Sequence, residues 1–174
     1  MKKVLFWMSF SLLLSLPLRA QDVKADIFGG YQFEHLDVGG TTTNANGWNI
    51  APTFIVQKNF GITADFSGVY KTISGASGHV YTYTFGPTVF VSPEAKVNPF
   101  VHALFGGASV GGSINGEGSS STSGTAIYIG GGVDAKVNKS LSIRAFQFDW
   151  LHYSVNGVNG SSNVRICAGA VFHF

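Results

Sequence analysis

Beyond residue 21, apolar and polar side chains alternate one for one in segment after segment, and this periodicity constrains the chain more than any other feature. A period of two puts successive side chains on opposite faces of a β-strand, whereas an amphipathic helix needs spacings of three and four. The last segment is the clearest. Val164, Ile166, Ala168, Ala170, Phe172 and Phe174 share one face, with Arg165, Cys167, Gly169, Val171 and His173 on the other. Two-faced segments read at 23–36, 47–57, 61–71, 79–91, 98–110, 125–137, 140–154 and 162–174 give eight strands. An even count without helical periodicity predicts an all-β fold, an eight-stranded antiparallel up-and-down barrel.

Charge decides which solvent each face meets. Asp26, Glu34, Asp65, His102, Asp134 and Arg165 all fall opposite the aromatic face, and only 11% of the chain is charged. A soluble barrel would turn its aromatics inward and its charges to water. Low charge and connections rich in Gly, Ser, Thr and Asn favour the inverse, a transmembrane barrel with apolar residues toward lipid. Strand seven departs from simple alternation, because Gln147 and Asp149 have the parity opposite to Arg144. A one-residue bulge near Ala145 or Phe146 restores the phase.

Connections at 58–60, 92–97 and 138–139 are short, while 37–46, 72–78, 111–124 and 155–161 are longer and rich in Gly, Ser, Thr and Asn. Strict alternation of short and long is the pattern of tight periplasmic turns and larger outer loops, and it puts both termini in the periplasm of a Gram-negative cell. Residues 1–20 open with Met1-Lys2-Lys3, continue through an apolar run and end Arg19-Ala20, which reads as a cleavable signal peptide preceding a barrel over 21–174. Without Lys2, Lys3 and Arg19, eight basic residues stand against nine acidic ones, so nucleic acid is not an expected partner. Cys167 has no second cysteine to pair with.

The stretches Ile129 to Lys136 and Ser142 to Trp150 resemble the second half of opacity-protein and outer-membrane-protein-A-like eight-stranded barrels. A Pro-Phe-x-His-x-Leu-x-Gly pattern, Pro99 to Gly106, is similar to one in small acidobacterial-type outer-membrane β-barrel proteins. Phe174, with Phe172 two residues before it, resembles the C-terminal aromatic signal read by barrel-assembly machinery. The resemblance implies a monomer among outer-membrane lipid and lipopolysaccharide, without catalysis or cofactor, meeting any extracellular ligand through the four long connections.

Asp65, His102, Asp134, Arg144, Asp149 and Arg165 would project into a lumen just wide enough for side chains to fill. A hydrogen-bonded ion-pair core is the favoured reading and a narrow ion-conducting channel the alternative, since buried charges must be paired. Asp134 and Arg144 lie near-opposite across the tight turn at Asn138-Lys139. His152 and Ser154 form a His-x-Ser pair that resembles lipid A 3-O-deacylases, where a histidine activates a serine. The competing reading is an interfacial His-Tyr pair in an aromatic girdle. Gly130-Gly131-Gly132 precedes no helix, so it reads as close strand packing rather than a phosphate loop. No metal-ligand spacing stands out, and no metal is expected.

Overall fold

A computed structural model describes residues 24–38, 41–73, 76–114, 117–155 and 158–174. The expected signal peptide, 1–20, lies outside the described residues. Eight antiparallel strands form one closed barrel in sequence order: β1 (Ala25–Val38), β2 (Thr41–Gln57), β3 (Phe60–Ile73), β4 (Ala76–Phe90), β5 (Val97–Ile114), β6 (Glu117–Lys136), β7 (Leu141–Val155) and β8 (Val158–His173). Closure is made by β1 against β8, from Asp26 opposite His173 to His35 opposite Val164, so neither strand is left as an unpaired edge.

The strands run to between 14 and 20 residues, well beyond the roughly 9–11 that a tilted strand needs to cross a bilayer. This corrects the four long connections. Most of 37–46, 72–78, 111–124 and 155–161 is strand, and β5 and β6 stay paired from Val97 opposite Ala135 to Ile114 opposite Glu117. Their Gly, Ser, Thr and Asn residues carry turn composition, but an extended hairpin whose two faces both meet water asks only for a hydrogen-bonding partner, not for an apolar face. The end of the barrel where these hairpins project is called here the hairpin end, and the end bearing the turns at 58–59, 91–96 and 137–140 the turn end.

The faces sort as the alternation requires. Outward on β2 stand Trp48, Ile50, Phe54 and Val56, on β4 Tyr81, Tyr83, Phe85 and Val89, and just past its end Val91, all exposed. These apolar runs cover nine and eleven residues, a hydrocarbon-deep band. Hydroxyl-bearing aromatics edge it toward the hairpin end. Tyr31 donates to Asn46 Oδ1 at 2.7 Å, Trp48 Nε1 donates to the Tyr70 hydroxyl at 3.2 Å, and Tyr70 and Tyr81 share a hydrogen bond at 3.2 Å. Beyond them the outward positions turn polar, with Asn44 on β2, Ser77 on β4 and Ser123 on β6 exposed.

Strand β7 carries the bulge. Asp134 pairs with Arg144 and Val133 with Phe146, so Ala145 is the extra residue; Ala145 and Phe146 both face out, and Arg144, Gln147 and Asp149 all face in. Inside, an aliphatic and tyrosine cluster of Leu36, Val69, Leu104, Leu151, Tyr128 and Tyr153 fills the lumen toward the hairpin end, and Phe28, Ala51, Cys167 and Val171 pack near the turn end.

Candidate functional site

Between those two clusters the lumen is polar. Arg165, fully buried on β8, donates through Nη1 and Nη2 to the two carboxylate oxygens of Asp65 on β3, each at 3.0 Å. Its Nε donates to Asp149 Oδ2 at 2.8 Å. The guanidinium also lies 4.4 Å from the Tyr128 ring centre, a cation–π contact in a site without water exposure. Asp149 takes two further bonds, with His102 Nε2 on β5 at 2.8 Å and from Gln147 Nε2 at 2.8 Å.

Gln147 is the bridge to a second arginine. Its Oε1 accepts from Arg144 Nη1 at 2.8 Å, while Arg144 Nε and Nη2 donate to Asp134 Oδ1 and Oδ2 at 2.7 and 3.0 Å. Phe28 and Phe100 hold the Arg144 guanidinium, their ring centres 4.4 and 4.1 Å from it. The fork geometry of arginine makes both ends of this network bidentate, which fixes orientation as well as charge.

Asp65, His102, Asp134, Arg144, Asp149 and Arg165, singled out in the sequence, thus join one connected set, and Asn49 extends it to β2 by donating to Asp65 Oδ1 at 2.9 Å. Sequence reasoning left Gln147 and Asn49 out of this set because an amide has no charge to flag it. Glu34 was flagged only as a polar-face charge. It lies buried beside the network, accepting from Gln32 Nε2 at 3.0 Å and from the Tyr153 hydroxyl at 3.4 Å. Hydroxyl pairs Thr53–Thr63, Thr63–Thr88 and Ser67–Thr82 line the adjoining wall at 2.8, 2.6 and 2.5 Å. The residual space between Thr63, His102 and Arg144 is about 10 Å³, about one water molecule.

The triple glycine serves this packing. A Cβ on Gly130 would overlap Asp149 Oδ1 and the Phe148 carbonyl oxygen, and one on Gly131 the Phe100 carbonyl oxygen. Among the described residues no group of three or more His, Cys, Asp or Glu could hold a metal ion.

His152 and Ser154 sit elsewhere, half-buried on the outward face of β7. The His152 ring stacks on Trp150 with centres 6.0 Å apart, and Asp149 points into the lumen on the opposite face. That arrangement places the pair in the aromatic edge of the band, with no carboxylate from Asp149 to orient the ring. Phe172 and Phe174 face outward at the barrel seam, where Phe174 N donates to the Ala25 carbonyl at 2.9 Å.

No family model matches the sequence, and a search of curated proteins finds no match. Solved structures do match. Neisserial surface protein A is similar with a TM-score of 0.76 at 12% identity, over 86% of this chain and 97% of that one. Ail, the attachment invasion locus protein of Yersinia pestis, is similar with a TM-score of 0.63 at 18% identity, over 87% and 99%. The outer membrane protein OprG from Pseudomonas aeruginosa gives 0.57 at 10% identity, over 87% and 96%. At these identities the likeness establishes the fold, an eight-stranded antiparallel barrel of the kind found in these outer-membrane proteins.

Proposed function

We propose that this protein is an outer-membrane barrel of a Gram-negative cell with a structural or surface-interaction role and a closed lumen. The observation that carries this reading is the interior itself: a bidentate ion-pair layer anchored on six of the eight strands, sealed toward the hairpin end by Leu36, Leu104, Leu151, Tyr128 and Tyr153. Removing water from charges that cannot move apart leaves no hydrated path for an ion, and the space between Thr63, His102 and Arg144 in that layer is about that of one water. The exported chain would lose residues 1–20, insert through recognition of Phe172 and Phe174 by barrel-assembly machinery, and stand as a monomer among phospholipid and lipopolysaccharide. Both termini face the periplasm in this reading, and the hairpin ends that include 37–46, 72–78, 111–124 and 155–161 face the surroundings. An extracellular ligand would meet those polar strands.

Planar-bilayer recording on purified protein is the direct test. The closed lumen gives no unitary conductance steps in 1 M KCl, and reproducible steps from wild type would overturn it. Mass spectrometry of lipid A from expressing cells tests the absence of catalysis: an unchanged acylation pattern is expected, and loss of one acyl chain that requires His152 and Ser154 would replace this reading with hydrolysis.

A further inference from the structure

Beyond residue 23 the sequence has six lysines, and five of them, Lys24, Lys58, Lys96, Lys136 and Lys139, fall at the turn end. They come from four separate places in the chain and converge because the barrel closes. Four of them, all but Lys96, line a vestibule of about 900 Å³ that opens at the turn end. Three side-chain carboxylates line it as well, beside the main-chain carboxylate of Phe174, and each of the three is already engaged. Asp26 is bonded to His173 Nδ1 at 2.6 Å, Glu94 to Lys58 Nζ at 2.9 Å and Asp134 to Arg144. The hydrogen bond and charge of Lys58 hold the Glu94 carboxyl below the usual carboxylate range, so that pair stays ionised.

Lys24, Lys136 and Lys139 are what remains. Among the described residues none of the three makes an ion pair within contact distance, although the charges of Lys136 and Lys24 reach Glu94, and Lys136 donates to the Pro93 carbonyl at 3.3 Å. Lysine ammonium groups with no carboxylate in direct contact, set around a concave wall, focus positive potential on the space between them. Ser140 adds a hydroxyl to the same wall, and Asn98, whose Oδ1 accepts from Ser92 N at 3.1 Å, keeps its amide NH2 to donate.

We propose that this vestibule binds a phosphate group, carried by a soluble anion or by the headgroup of an anionic phospholipid in the adjoining leaflet. Lysine ammonium groups are compact point charges suited to phosphate oxygens, and flexible stems let them close on one from several directions. Both sources reach the site, since the outward residues next to the lysines, Val56, Val97, Val137 and Phe174, mark the edge of the apolar band. The site goes beyond the closed-barrel reading, and it requires neither a sealed lumen nor a given side of the membrane.

The test is amide chemical-shift mapping of the full barrel in nanodiscs at constant ionic strength. In zwitterionic phosphatidylcholine, titration with inorganic pyrophosphate is expected to give saturable shifts confined to Lys24, the 91–96 turn with Asn98, Lys136 to Ser142 and His173. A second arm exchanges part of the phosphatidylcholine for phosphatidylglycerol without pyrophosphate. Response in the first arm alone assigns a soluble phosphate, in the second alone a lipid headgroup, and in both arms either source. Combining Lys24→Gln, Lys136→Gln and Lys139→Gln should weaken apparent affinity at least tenfold. Lys139→Gln alone, on an exposed turn, should weaken it in part and covers the case of a triple variant that does not fold. Shifts that spread over the barrel, fail to saturate or survive these substitutions, or silence in both arms, would overturn the site. A conducting lumen would leave all of these readouts in place.

Discussion

Arg144 shows at a single residue how the interior is stabilised. It closes a bidentate pair with Asp134, reaches Gln147 and lies against two phenylalanine rings, so its loss leaves Asp134 buried without its cation. Breaking a buried pair from one side costs about 3–5 kcal/mol, far more than removing both members. Urea unfolding in detergent micelles should therefore give a large loss for Arg144→Ala, and for the double variant with Asp134→Ala a loss smaller than the sum. Strictly additive losses would mean the two side chains do not interact. Arg144→Lys keeps the charge but neither the fork nor the flat stacking surface, and should recover less than half of the loss.

At the scale of an element, the bulge in β7 and the seam strand β8 make separate predictions. Ala145 is the extra residue that lets Arg144 and Gln147 both face inward with Phe146 outward. Deleting Ala145 leaves an ordinary alternation with every neighbour on its present face, whereas deleting Phe148 sends Asp149 toward lipid and Trp150 into the lumen. Heat-modifiable migration on gels should thus survive the first deletion and be lost in the second. Just past the end of β8, removing Phe174 takes away the outward aromatic at the seam and the hydrogen bond from its N to the Ala25 carbonyl. If that aromatic is the assembly signal, the shortened protein accumulates unfolded in the periplasm; normal migration of the deletion variant would count against the signal without counting against the barrel.

For the whole molecule the orientation is the quantity to measure. With Cys167→Ser as background, a cysteine in place of Ser123 on the projecting part of β6 should react with an impermeant maleimide on intact cells. One in place of Lys139 should react only after permeabilisation. The reverse pattern would invert the barrel in the membrane, and sequencing of the same protein should begin at or within a residue or two of Gln21. The four polar hairpin extensions would then be the surface that meets other cells or soluble ligands, with the filled lumen acting as a rigid support for them.

Period-two patterning, which is local, determined by itself the number of strands, the face of each side chain, the turn end of every short connection and the need for a bulge near Ala145. It also set Asp134 beside Arg144, because a tight turn fixes the register of its own hairpin. Only the closed tertiary structure decided which inward residues share a height. Arg165 and Asp65 are 100 residues apart and meet across the lumen, as do Tyr153 and Glu34, because strand tilt and stagger around the whole barrel fix those neighbours. The same nonlocal pairing turned Gly/Ser/Thr stretches of loop composition into strand, since a backbone hydrogen bond depends on a partner strand rather than on local sequence. Lysines from three separate places in the chain became one vestibule for the same reason: closing the barrel brings its ends together, and no pattern along a single strand records it.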